Sequence, residues 1–136
     1  MECIFCSLIR DGAATWVSRG PTASAFAPLD PLAPGHTLVV PTRHYADIFE
    51  TPEYVLTDTV ALVQRVADAM RSALRATGVN ILHASGVGSE QSVPHLHFHV
   101  VPRWPDDGFS TWPTARSQHS VSDPITQIAH TLSTRP

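Results

Sequence analysis

The chain has 136 residues, which against ~150 per domain predicts one domain over 1–136. Its 43% apolar and 15% charged residues exclude a disordered chain, and its net charge of −3, with no basic stripe, excludes coating of nucleic acid by charge. No apolar run approaches the ~18 residues that cross a bilayer, and Met1-Glu2-Cys3 opens no positive-then-apolar leader, so the expected home is the cytoplasm, away from membranes. All nine basic residues are Arg, which excludes lysine Schiff-base and P-loop lysine chemistry. In chain order, residues 3–10 read as a short turn with an apolar side. Residues 14–18 and 23–27 are strand candidates around the turn signal Arg19-Gly20-Pro21. Residues 28–35 carry three prolines and must be loop, and 37–41 (Thr-Leu-Val-Val-Pro) read as a buried strand. A helix is predicted over about 52–77. Thr51 caps it, Pro52 and Glu53 suit its first turn, and Gly78 ends it. Its apolar stripe is Leu56, Val60, Val63, Ala67, Met70 and Leu74. A strand at about 79–84, a loop at 85–92 and a strand at 95–102 follow. The tail is unassigned except for a short helix at 124–132. This order argues for an α+β fold: an antiparallel sheet of about five strands with one long helix and short ones.

Three of the eight histidines fall within five residues, in Pro94-His95-Leu96-His97-Phe98-His99-Val100-Val101-Pro102. On a strand the three imidazoles share one face and Leu96, Phe98 and Val100 share the other, the core side. Rings ~6.5–7 Å apart along a strand are too far to bond one another and well separated to surround one anion or ion. A neutral imidazole is nucleophilic near pH 7 and can form a phospho-histidine, while neighbouring rings donate to phosphate oxygens. The preceding loop adds Gly86, Gly88, Ser89, Gln91 and Ser92, a backbone and side-chain donor set suited to phosphate. Three imidazoles are also a zinc-binding set, so a tri-histidine metal enzyme stays open at this point. Cys3 and Cys6, spaced C-x-x-C, suggest metal or redox work more than a structural disulfide.

The histidine segment resembles the signature of the histidine triad (HIT) superfamily of nucleotide hydrolases and transferases. Three further blocks resemble it in order and spacing: Cys3-Ile4-Phe5-Cys6, then Ala33-Pro34-Gly35-His36-Thr37-Leu38-Val39-Val40-Pro41 with His44 after it, and Gly88-x-x-Gln91-Ser92-Val93-x-His95. The likeness spans about 3–103 and leaves 104–136 unassigned. It implies a HIT-like fold whose sheet continues across a homodimer. It implies a hydrolase that splits a nucleoside monophosphate from a phosphoramidate or polyphosphate through a nucleotidyl-histidine. By position, His97 is the nucleophile, His99 contacts the phosphate, and His36 supports the cluster. Ser92 and Gln91 donate to phosphate or leaving group, and Ile4, Phe5, Leu8, Phe26, Leu29 and Leu38 form an apolar nucleoside cleft. The resemblance also implies a structural zinc on Cys3, Cys6, His44 and His95, and two thiolates with two imidazoles make a closed tetrahedral set. A redox role for the C-x-x-C pair has no βαβ context.

Two positions depart from the family pattern. Pro28 stands where an acidic residue binds ribose, with Asp30 the nearest carboxylate. Ala84 stands where an Asn is common, beside His83. These departures leave a rival expectation, a nucleotide-binding module with little activity. His119 and His130 read as surface residues, and Trp104 and Trp112 either line a substrate entrance or pack at a subunit contact.

Overall fold

The computed structural model describes residues 3–135. Five antiparallel strands form one sheet: β1 (Trp16–Arg19), β2 (Ala23–Phe26), β3 (Thr37–Pro41), β4 (Gly78–Leu82) and β5 (Phe98–Arg103), in the order β1-β2-β3-β5-β4. Helix α1 (Ile4–Asp11) precedes the sheet, the long α2 (Glu53–Leu74) lies between β3 and β4, and α3 (Pro124–Thr134) closes the described chain. The α+β expectation holds: an antiparallel five-stranded sheet, one long helix and two shorter ones. Among the described residues no helix is long and apolar enough to cross a membrane.

The sheet buries both faces. Helix α2 crosses β2, β3 and β5, and Leu62, Val63, Val66 and Met70 pack on Ala25, Val39 and Val100. On the other face Phe5 of α1 packs with Phe26, Leu38 and Val40. The Phe5 and Phe26 rings meet edge to face at 5.4 Å, a contact that contributes roughly 0.5–1.5 kcal/mol beyond its area.

Local details differ from the sequence expectations for physical reasons. The segment expected to be a short turn forms a full helix, Ile4–Asp11, ended by Gly12 in the left-handed region at φ 64. The cap of α2 is Pro52, whose carbonyl accepts from Val55 and Leu56. The Thr51 hydroxyl instead donates to the Asp47 carbonyl at 2.6 Å. Arg75, in the left-handed region at φ 55, ends α2, and Gly78 opens β4. The buried stripe of α2 is Val55, Thr59, Leu62, Val63, Val66 and Met70. It is rotated from the predicted one, so Val60 and Leu74 are exposed. An apolar count misses Thr59, whose hydroxyl is satisfied within the helix by the Val55 carbonyl at 2.7 Å.

The histidine strand begins at Phe98 rather than His95. Pro94 carries no N–H, the His95 N–H turns back to the Val93 carbonyl at 2.8 Å, and the Leu96 N–H goes to the Tyr45 carbonyl at 2.7 Å. Leu96 is fully buried, and the bend at His95 breaks the single imidazole face expected of a regular strand, turning His95 away from His97 and His99. His95 and His97 are buried as well. In the tail, α3 extends the predicted 124–132 helix to Thr134, and every residue of it is exposed. His119 and His130 are exposed, as expected. Trp104 packs against the α2 core and donates its Nε1–H to the Leu74 carbonyl at 3.2 Å, while Trp112 is exposed. Neither tryptophan lines the two cavities described next.

Candidate active site

Two cavities meet at His97, His99 and Ser92. The larger, about 480 Å³, is lined on its apolar side by Ile4, Phe5, Leu8, Phe26, Leu29 and Leu38, the six residues expected there. Asp30 and Pro28 lie on the same lining, so a carboxylate does border this cavity. Leu29 is 95% exposed and forms a rim rather than a wall. The smaller cavity, about 310 Å³, is bordered by His83, Ala84, Ser89, Glu90 and Gln91.

Hydrogen bonds fix the protons on the rings. A carbonyl only accepts, so Nδ1–H of His97 donates to the His95 carbonyl at 2.7 Å. In the neutral ring this leaves the lone pair on Nε2. Among the described residues no buried side-chain nitrogen or oxygen lacks a partner. Nε2 of His97 has none among the described residues, so it opens to the cavities that the residue lines. The Leu32 N–H donates to Nδ1 of His36 at 3.0 Å. His36 therefore carries its proton on Nε2 and donates it to Nδ1 of His99 at 2.9 Å. His99 in turn keeps its own proton on Nε2. The result is complementary: His97 offers a lone pair and His99 offers an N–H, with ring centroids 5.1 Å apart. Burial favours the neutral forms, pushing His36 and His97 below the ordinary imidazole range. Burial, with the neighbouring His97, His36 and His83 rings, pushes His99 down to about 4.

His95 faces away from this pair. Its Nε2–H donates to the Pro41 carbonyl at 2.8 Å, which turns the Nδ1 lone pair toward Cys3, Cys6 and His44. Nδ1 of His95 lies 3.5 Å from the Cys3 and Cys6 sulfurs and 3.3 Å from Nδ1 of His44. The Cys6 sulfur lies 3.3 Å from Nδ1 of His44. All four ligand atoms fall within 4.8 Å of one another. An ion with bonds of ~2.3 Å to sulfur and ~2.0–2.1 Å to nitrogen has tetrahedral N···N edges of roughly 3.3 Å and S···N edges of roughly 3.5 Å. The four donors fit that set in chemistry and spacing. His95 gives its Nδ1 to this group and its Nε2–H to Pro41, which turns it away from His97 and His99 and speaks against a tri-histidine centre.

Gln91 takes a different part from the one expected. Its Oε1 accepts from the Gly86 N–H at 2.8 Å, and its amide donates to the Ala46 and Val93 carbonyls at 2.7 and 2.9 Å. With both amide hydrogens engaged it braces the loop and has none to give a phosphate. Ser92, exposed between the two cavities, keeps its place at the junction. Ser85, Leu32 and a role for His83 carry no mark in the sequence that sets them apart. The backbone N–H of Leu32 sets the His36 tautomer, and a main-chain donor leaves no mark in residue type.

The HIT domain family model matches residues 12–106. An uncharacterized HIT-like protein of Saccharolobus solfataricus is 39% identical over 107 residues, covering 77% of this chain and 76% of that protein. The adenosine 5′-monophosphoramidase of Saccharomyces cerevisiae is 32% identical over 102 residues, covering 74% of this chain and 62% of the yeast protein. The crystal structure of a zinc-bound histidine triad family protein from Mycobacterium smegmatis superposes with a TM-score of 0.77 at 34% identity, covering 85% of each chain. With its sheet, its ordered imidazoles and the match over most of its length, the chain belongs to the HIT domain family.

Proposed function

We propose that this protein is a nucleotide hydrolase or nucleotidyl transferase acting on nucleoside phosphoramidates or dinucleoside polyphosphates. The observation that carries the reading is the His97–His99 pair at the junction of the two cavities, one ring presenting a lone pair and the other an N–H. Nε2 of His97 attacks the α-phosphorus, and the bond from phosphorus to the leaving nitrogen or oxygen breaks. The pair of electrons departs with the leaving group, which takes a proton from solvent, and the water of the second step returns one to solvent. Water then attacks phosphorus, the P–N bond to His97 breaks, and the nucleoside monophosphate leaves. His99 donates to the phosphoryl oxygens as charge builds, and His36 holds the His99 tautomer. Ser92 serves the leaving group, supported by its place on both cavities. The apolar cavity of Ile4, Phe5, Leu8, Phe26, Leu29 and Leu38 holds the nucleoside, and Gln91 orders the loop beside the phosphate. The monophosphoramidase activity of the yeast relative supports the phosphoramidate class.

Cys3, Cys6, His44 and His95 hold a structural zinc in this reading. A four-ligand ion has no open position, so it ties the chain together instead of activating water. The protein works in the cytoplasm as a homodimer with a continuous sheet.

His97→Ala is expected to abolish turnover of adenosine 5′-phosphoramidate and the nucleotidyl adduct seen by mass spectrometry, while leaving the fold intact by circular dichroism. Wild-type turnover in that variant would sink the mechanism. Tight nucleotide binding by the wild-type protein with no product would favour a binding module instead.

A further inference from the structure

We propose that His83 is a positioning residue for the nucleophile, a role that rests on His97 being the group that attacks phosphorus. The strands leave the nucleophile's backbone weakly specified. The ladder of β4 on β5 ends at Leu82 opposite His99, and that of β3 on β5 ends at Val39 opposite Phe98. The His97 carbonyl lies just outside both. Nδ1–H of His83, the first residue after β4, donates to that carbonyl at 2.8 Å. A carbonyl only accepts, so the His83 proton sits on Nδ1 and Nε2 accepts from the Ser85 hydroxyl at 2.5 Å. Ser85 in turn accepts from the Ile48 N–H at 2.9 Å. The donors run in one sense, from Ile48 through Ser85 and His83 to His97. The His83 ring also stacks on Phe98, with centroids 4.6 Å apart and planes at 27°.

One side chain therefore bonds the His97 carbonyl and stacks on the Phe98 ring. The His97 ring is turned by its Nδ1–H bond to the His95 carbonyl, and where that ring sits follows from the His97 backbone that His83 holds. Both nitrogens of His83 are engaged within the protein, so it acts on the reaction through the position of His97. A misplacement of about 1 Å at a reacting atom costs about 100-fold in rate.

The test uses adenosine 5′-phosphoramidate with the full chain and compares His83→Phe, His83→Asn, Ser85→Ala and His97→Ala. Phenylalanine keeps the stack on Phe98 and removes the donor, whereas the asparagine amide supplies an N–H again. In His83→Phe, kcat is expected to fall about tenfold or more while KM stays within about twofold. His83→Asn is expected to recover most of that loss, and Ser85→Ala to lose about threefold by freeing the His83 ring. Wild-type kcat in His83→Phe, or equal kcat in the Phe and Asn variants, overturns the positioning role. Should His83→Phe not fold, Ser85→Ala decides, and an unchanged kcat there overturns the role. An inactive His97→Ala beside a fully active His83→Phe sinks this inference alone, whereas full activity in His97→Ala sinks the reading beneath it.

Discussion

An imidazole serves phosphorus chemistry only when its proton sits on the nitrogen that faces away from phosphorus or toward an oxygen. Here four rings have that choice made by their neighbours: His97 by the His95 carbonyl, His99 by His36, His36 by the Leu32 N–H, and His83 by the His97 carbonyl. At His99 its bond makes protonation costly. An added proton on Nδ1 of His99 would face the N–H of His36 and break their bond. His99 is held at about 4 in the folded protein, below the ~6.5 of a free imidazole. Between these values the unfolded chain binds more protons. The contribution of His99 to stability is thus complete above about pH 6.5 and is lost as pH falls toward 4. Urea unfolding at pH 7.5 and 5.0 is expected to show a smaller acid-induced loss in His99→Gln than in the wild type. Equal losses would remove this account. The residue types were legible because alternation with apolar neighbours marks them. The role of His83 was not legible, because it lies outside that alternation and its partner is a backbone oxygen. Gln91 was legible as a loop residue, and only the fold shows its hydrogens engaged with Ala46 and Val93.

Helix α1 serves two sites at once. Ile4, Phe5 and Leu8 line the larger cavity, while Cys3 and Cys6 meet His44 and His95. The Phe5 ring meets the His95 and His97 rings edge to face, with centroids 5.8 Å and 5.2 Å apart. A zinc bound by the four donors would therefore hold one wall of the nucleoside cavity. Cys6→Ser is expected to lower the zinc content from one per chain to near zero by elemental analysis. It is also expected to lower the thermal midpoint by about 5 °C or more, roughly 1 kcal/mol or above. Nucleotide affinity measured by calorimetry is expected to weaken in the same variant. Full zinc content in Cys6→Ser would rule out this ligand set. The C-x-x-C spacing already marks the metal candidates in the sequence. The helix around it does not stand out, since eight residues carry too short a pattern to distinguish a helix from a turn. In α2 the length was legible, but the face was displaced because a satisfied threonine, Thr59, sits in the buried stripe.

The sheet has two edges, and they are built differently. Strand β1 is four residues long, breaks register between Trp16 and Ser18, and ends in the charged Arg19. A short, bulged and charged edge resists pairing with another chain. Strand β4, Gly-Val-Asn-Ile-Leu, pairs with β5 in unbroken register and carries no charge or proline. Its Ile81 is 52% exposed. No single stretch of sequence states which strands become edges. Strand β3 reaches β5 across α2 and β4, and that pairing places β4 outermost. The proposed homodimer therefore joins through β4, the edge that lacks the usual protection. Light scattering of the wild-type protein is expected to give twice the 14.8 kDa chain mass. Ile81→Lys, which puts a charge on the joining edge, is expected to shift the mass toward one chain. Val17→Lys, on the opposite edge, is expected to leave the dimer intact. A monomeric wild type would remove the dimer, and a dimer lost in Val17→Lys but kept in Ile81→Lys would move the joint to β1.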